Sequence, residues 1–166
     1  MQLKVGDTVV YAAHGVGRIV ARERRLVGTA KQDVVVVELS EGLTVSLPLE
    51  RARLQLRELA SEAQLRLVQK TLRQKPVTSE KPWLARQRDT LAKLTGGDAL
   101  GLAEIVRDSA PRDWAATAKG TKTQAPTGER DVFLKARHLL SSEIAHARVL
   151  ETVEAEQWIE LQLARA

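Results

Sequence analysis

The residues best placed to do chemistry are a tryptophan and its basic neighbours. Lys81-Pro82-Trp83-Leu84-Ala85-Arg86-Gln87-Arg88 sets one of the three Trp of this chain behind a proline and ahead of two arginines. Proline fits the first helical position, where its missing N–H costs nothing. Trp83 then falls in the first turn, and Arg86, three residues on, shares its face. A helix N-terminus offers free N–H groups and the positive end of the dipole, both of which favour phosphate. A wide apolar ring flanked by cations suits nucleic-acid contact: the ring presses into a groove or onto an exposed base while the arginines hold the backbone. The competing reading is a ring packed on a neighbouring helix, because Trp is usually largely buried. The residues alone leave both readings open.

Catalytic chemistry finds little support. The histidines are His14, His138 and His146. His138 and His146 stand eight apart on one helical stretch, about two turns, too far to share a metal. No HExxH, GxSxG or GxxxxGK[ST] occurs. Gly15-Val16-Gly17 contains a GxG, but a strand follows it, and phosphate cradling needs a helix there. With no cysteine, thiolate chemistry, disulfides and iron–sulfur clusters are excluded. The expectation is a protein that is not an enzyme, with no catalytic residues, no metal and no cofactor.

Composition narrows the partners. The 166 residues suit one ordinary domain or two small ones. Aromatics make up only 3%, too few for an aromatic-lined ligand cavity. The formal net charge is +5, and its distribution is uneven. Residues 1–53 hold eight Lys/Arg against six Asp/Glu, residues 54–112 eleven against seven, and residues 113–166 seven against eight. The window 66–93 carries Arg66, Lys70, Arg73, Lys75, Lys81, Arg86, Arg88 and Lys93 against Glu80 and Asp89, a net +6 that exceeds the charge of the whole chain. Such asymmetry points to a polyanion, with a solvated helix face as the plainer alternative. No run reaches the ~20 apolar residues of a membrane span, and the opening residues lack the apolar core of a signal peptide. A cytoplasmic protein is expected.

Two kinds of element must position these residues. Residues 1–53 read as short strands. Thr8–Tyr11 is β-rich, His14–Gly17 turns on its glycines, and Val34–Val37 is a fully buried run. Leu43, Val45 and Leu47 alternate with Thr44 and Ser46, and Pro48 ends that strand or marks a sheet edge. Four or five such strands suggest a small, bent β barrel. From Arg53 onward the period is helical. Leu59, Ala63, Leu67 and Leu72 form one stripe, with Ser61 as a helix cap. A second helix begins at Pro82 and stops at Gly96-Gly97. Asp98 caps a third, and Pro111 lies just past its end. Residues 117–128 read as a surface loop. Helices over about 129–149 and 152–164 complete a bundle of five. Trp114 covers a bundle edge and Trp158 belongs to the core. The fold class is therefore α+β, a small β barrel over residues 1–54 followed by an all-helical bundle over 55–166.

These residues also carry a resemblance. Val5-Gly6-Asp7-Thr8-Val9-Val10-Tyr11 with His14-Gly15-Val16-Gly17 resembles the opening of CarD-type bacterial transcription regulators and of the polymerase-interacting module of transcription–repair coupling factors. The likeness continues through Leu43-Thr44-Val45 and Pro48. It extends into a helical half that coupling factors lack, at Pro82–Arg88, Gly97-Asp98, Ala103–Asp108 and Leu134–Leu140. The resemblance implies a Tudor-like domain that binds the RNA polymerase β subunit, partly by strand addition along Thr44, Val45 and Ser46. Arg24 matches a polymerase-contacting arginine of the family, and Ser46 stands where a second one is usual. The resemblance further implies that Trp83 enters the DNA minor groove at the upstream edge of the open promoter bubble. It implies that Arg86, Arg88 and Lys135 contact DNA. The loop over 117–128 is longer than the family's usual one.

The function so implied is that of a monomeric, nucleoid-associated regulator with weak sequence specificity, which stabilises the open promoter complex. Two other readings make different predictions. A protein–protein adaptor on polymerase would not need Trp83. A non-specific nucleoid protein would bind any duplex without polymerase, and a net charge of only +5 argues against it.

Overall fold

The computed structural model describes residues 2–12, 14–40, 42–118 and 128–166. The chain divides into two compact units, one ending at Leu59 and the other running Ala60–Ala166.

The first unit is an antiparallel sheet of β1 (Thr8–Tyr11), β2 (Gly15–Val27), β3 (Ala30–Leu39), β4 (Thr44–Pro48) and β5 (Leu56–Arg57), with helix α1 (Leu49–Gln55) between the last two strands. The strand order is β4-β3-β2-β1-β5. The sheet is open, with β4 and β5 at its edges. Residues 49–53, expected as part of the β region, are helical. Pro48 precedes α1 and Glu50 lies in its first turn, which suits the dipole. Its Ala52 is fully buried with Val9, Ile19, Val35, Val37 and Leu56. This packing joins α1 and β5 to the sheet, so the division falls at Leu59 rather than at 54.

All four valines of 34–37 are buried, as their unbroken β-branched run predicts. Gly17 does not turn the chain: it lies in β2, paired with Val9 and Leu39. An added Cβ there would stand 2.8 Å from Val37 Cγ1, so the residue permits close strand packing. Gly15 makes the turn, at φ 93°. The register shifts between Ile19 and Ala21, a bulge that leaves Val20 exposed. Beyond it β2 and β3 continue as an exposed two-stranded ribbon over residues 24–33. Its tip turns at Gly28-Thr29, where Gly28 takes the positive φ a tight hairpin requires.

The described residues of the second unit form five helices: α2 (Glu62–Leu72), α3 (Trp83–Gly96), α4 (Ala99–Ala118), α5 (Glu129–Arg148) and α6 (Thr152–Leu163). Leu65, Leu72, Leu102, Leu140, Ile144 and Ile159 are its largest fully buried apolar side chains. Ser61 caps α2 in a capping box with Gln64. The buried stripe of α2 is Leu65, Val68 and Leu72, whereas Leu67 is exposed. The expected stripe through Leu59, Ala63 and Leu67 fails because the cap starts the helix after Leu59. That leaves the i, i+3, i+7 set as the longer apolar row.

Pro111 lies inside α4 rather than beyond it. Its lost N–H is a single hydrogen bond, and Val106 and Ala110, both buried, hold the helix on the core through that point. Trp114 is exposed on α4. Trp158 is only half-buried at the margin of the core, beneath the Arg148 guanidinium 4.8 Å from its ring centroid. The residues its helix buries fully are Ala155 and Ile159. Of the loop expected over 117–128, Thr117 and Ala118 close α4 and Gly128 precedes α5. Residues 119–127 lie outside the described residues.

Candidate functional site: a basic helix end and an open sheet edge

Pro82 sits one position earlier than expected. It is the N-cap of α3, at φ −53° and ψ 148°, and Trp83 is the first helical residue. The Pro82 carbonyl accepts from Ala85 N at 3.0 Å and Arg86 N at 3.1 Å, closing the first turn. Trp83 is 39% exposed and Leu84 68% exposed. The ring is therefore only partly covered, neither a fully buried staple nor a free side chain.

α3 is anchored at its other end. Leu94 is its buried side chain, Lys93 Nζ meets Glu104 Oε2 at 2.6 Å, and Gly97 closes the helix at φ 62°. Asp98 then caps α4, accepting from Leu100 N and Gly101 N. At the Trp83 end, Lys81 Nζ reaches forward to Asp89 Oδ2 at 2.6 Å. The Lys81 ammonium holds the Asp89 carboxyl below its ordinary value, first through that hydrogen bond and then through its charge.

The four residues expected at nucleic acid are not equivalent. Arg86 is half-buried, lines a cleft of about 700 Å³ beside α3, and donates from Nη1 to the Ser79 carbonyl at 3.3 Å. Arg88 is exposed, five residues past Trp83 and so about 140° round the helix from it. Its neighbour on that face is Leu84, four residues back. Lys135 is exposed on α5, three residues past Val132, which lines the same cleft. All four belong to one compact unit.

Ion pairing sorts the cations of that unit. Lys81, Lys93, Arg107, Arg112, Arg130, Arg137 and Arg148 each meet a carboxylate. Arg107 is the buried case: Asp108 binds it through two nitrogens and, by that hydrogen bond, holds its guanidinium pKa above the ordinary value. Among the described residues, Arg86, Arg88 and Lys135 meet none, and neither do Arg66, Lys70, Arg73 and Lys75. No group of His, Asp and Glu among the described residues is placed to hold a metal ion.

In the first unit, Thr44, Val45 and Ser46 lie on edge strand β4, paired with Glu38, Val37 and Val36. Leu39 N donates to Leu43 O at 2.8 Å. In an antiparallel ladder the hydrogen-bonded pairs alternate, so Leu43, Val45 and Leu47 bond inward. The N–H and C=O of Thr44 and Ser46 then point out from the sheet. Pro48 continues the outward set, so its missing N–H breaks no ladder bond, and the free edge stops there.

Arg24 lies on the ribbon, 74% exposed, with Nε 3.8 Å from Asp33 Oδ1 on the paired strand. Sequence reasoning missed Arg25. Its Nη1 lies 3.5 Å from Ser46 Oγ, so a guanidinium from β2 stands beside the position where a serine replaces the expected arginine. Only strand register reveals this neighbour, since the two residues are far apart in the chain.

An α+β protein with a free strand edge in one unit and unpaired cations around an exposed aromatic helix end in the other is built to hold partners. Residues 3–60 match the CarD-like/TRCF RID domain family and residues 67–160 match the family described as CarD, C-terminal domain. The chain belongs to the CarD family of RNA polymerase-interacting transcription regulators. No helix among the described residues is long and apolar enough to cross a membrane.

Proposed function

We propose that this protein stabilises the open promoter complex by binding, without catalysis of its own. The β4 edge engages the polymerase β subunit by strand addition, and Arg24 on the ribbon adds a charged contact. That tether raises the local concentration of the helical unit at promoter DNA. Trp83 occupies the minor groove at the upstream edge of the bubble, space that the DNA must refill when the bubble closes. Arg88, Lys135 and Arg86 attract phosphate, the last after releasing the Ser79 carbonyl. The protein acts in the cytoplasm, on the nucleoid, as a monomer and with weak sequence specificity.

The observation that carries this reading is the exposed Trp83 ring in the first turn of α3, in a unit where Arg86, Arg88 and Lys135 meet no carboxylate among the described residues. The test is the lifetime of open complexes on a promoter with an unstable bubble, with a competitor trapping released polymerase. The intact protein lengthens the lifetime. Trp83→Ala loses most of that gain while polymerase binding persists. An unchanged lifetime with intact protein overturns the proposal.

A further inference from the structure

The first half of the basic window, on α2, has no role in the mechanism above. Arg66, Lys70 and Arg73 follow one another at i, i+4 and i+7 on this helix. At 100° per residue they fall within about 60° of arc and span about 10 Å of axis. All three are exposed, and Lys75 follows just beyond the helix. Arg73 donates to the Gln162 side-chain carbonyl at 2.9 Å, a neutral partner, and Arg66, Lys70 and Lys75 meet no carboxylate among the described residues. Glu62 lies on the same stripe one turn earlier, but its carboxylate pairs with Arg148 at 2.9 Å.

Helix energetics do not account for this stripe. The C-terminal dipole favours Lys70 and Arg73, but Arg66 lies mid-helix. Like charges at i, i+4 weaken a helix. Lys81, Lys93, Arg107, Arg112, Arg130, Arg137 and Arg148 of this unit are matched by acids; among the described residues the α2 cations, like Arg86, Arg88 and Lys135, are not.

We infer that the Arg66–Lys70–Arg73 face of α2 is a second duplex-DNA surface, contacting phosphates without reading bases. A duplex carries one charge per about 1.7 Å of axis, so about six phosphates span the length of the stripe. The surface offers charge with no fixed fork of Asn or Gln for base edges. It rests on the promoter-binding reading, adding duplex contacts to the wedge at the fork.

The test is the salt dependence of binding of the full chain to a labelled duplex between roughly 50 and 200 mM monovalent salt. Each lost phosphate contact lowers the slope of log K against log salt by about 0.9. The double variant Arg66→Gln/Lys70→Gln is expected to lower it by about 1.8. Trp83→Ala is expected to weaken binding with the slope unchanged. Arg130→Gln/Arg137→Gln, which removes two paired cations and the same net charge, is expected to leave the slope unchanged. A slope unaltered in the α2 variant overturns the inference and leaves an acidic protein partner as the occupant. An equal fall in both double variants overturns it too, because net charge alone then explains the effect. Open-complex lifetime, measured in parallel, keeps the two ideas apart. Failure of intact protein to lengthen it sinks the wedge reading, while the slope still decides the α2 surface. Circular dichroism checks that the variants fold, and removing the like charges is expected to leave α2 intact or firmer.

Discussion

At Ser46, where the family resemblance implies an arginine, the Arg25 guanidinium lies beside the serine hydroxyl while pairing with Glu23. Arg25→Ala is expected to weaken polymerase binding a few-fold, mainly through the on-rate, as for exposed interface charges; surface plasmon resonance with the β lobe measures it. Val149 presents a different residue-level tension. It closes α5 at φ 55°, a β-branched side chain in the left-handed region, and it is 92% exposed. Val149→Gly is therefore expected to stabilise the second unit by about 1 kcal/mol, a rise of roughly 2–4 °C in Tm by calorimetry. Both positions were opaque in the sequence, because strand register and φ are not written in residue types. Trp83 was legible, since a proline fixes the helix start and thus the turn in which the ring stands.

At the scale of the element, α3 is a helix held at its far end and presented at its near one. Leu94 and the Lys93–Glu104 pair fasten the C-terminal turns, and the Lys81–Asp89 pair fastens the chain leading into Trp83. Asp89 has its pKa lowered from the model-compound 3.8. A depressed carboxyl contributes stability above its unfolded value and loses it as pH falls through the lower folded value. The clamp is thus intact above about pH 4 and opens only under stronger acid. Hydrogen exchange of residues 81–86 is expected to quicken across that acid window in the intact protein. Asp89→Asn is expected to exchange faster already at neutral pH, without the acid transition. Pro111 marks where element reading failed: a proline reads as a stop, but the buried Val106 and Ala110 ahead of it outweigh one lost hydrogen bond.

At the scale of the whole molecule, the proposed mechanism divides the work of the two units between attachment and DNA contact. If attachment supplies only effective concentration, its loss is recoverable by mass action. Arg24→Glu is expected to abolish lengthening of open-complex lifetime at low protein concentration and to regain it when the variant is added in large excess. A titration of lifetime against protein distinguishes this from a variant whose plateau is lost, which would mean that polymerase contact also shapes the DNA step.

The sequence by itself determined the α+β order, the buried Val34–Val37 strand, the caps at Ser61 and Asp98 and the basic character of residues 66–93. Each follows from local period, local charge or the stereochemistry of one residue type. Tertiary structure alone decided that the sheet stays open, that Thr44 and Ser46 turn their main-chain groups to its edge, that Arg25 reaches Ser46, and which cations find carboxylates. Those depend on strand register and on helix faces meeting across long sequence separations. A one-residue change of register reverses a strand's faces, and no local pattern encodes that choice.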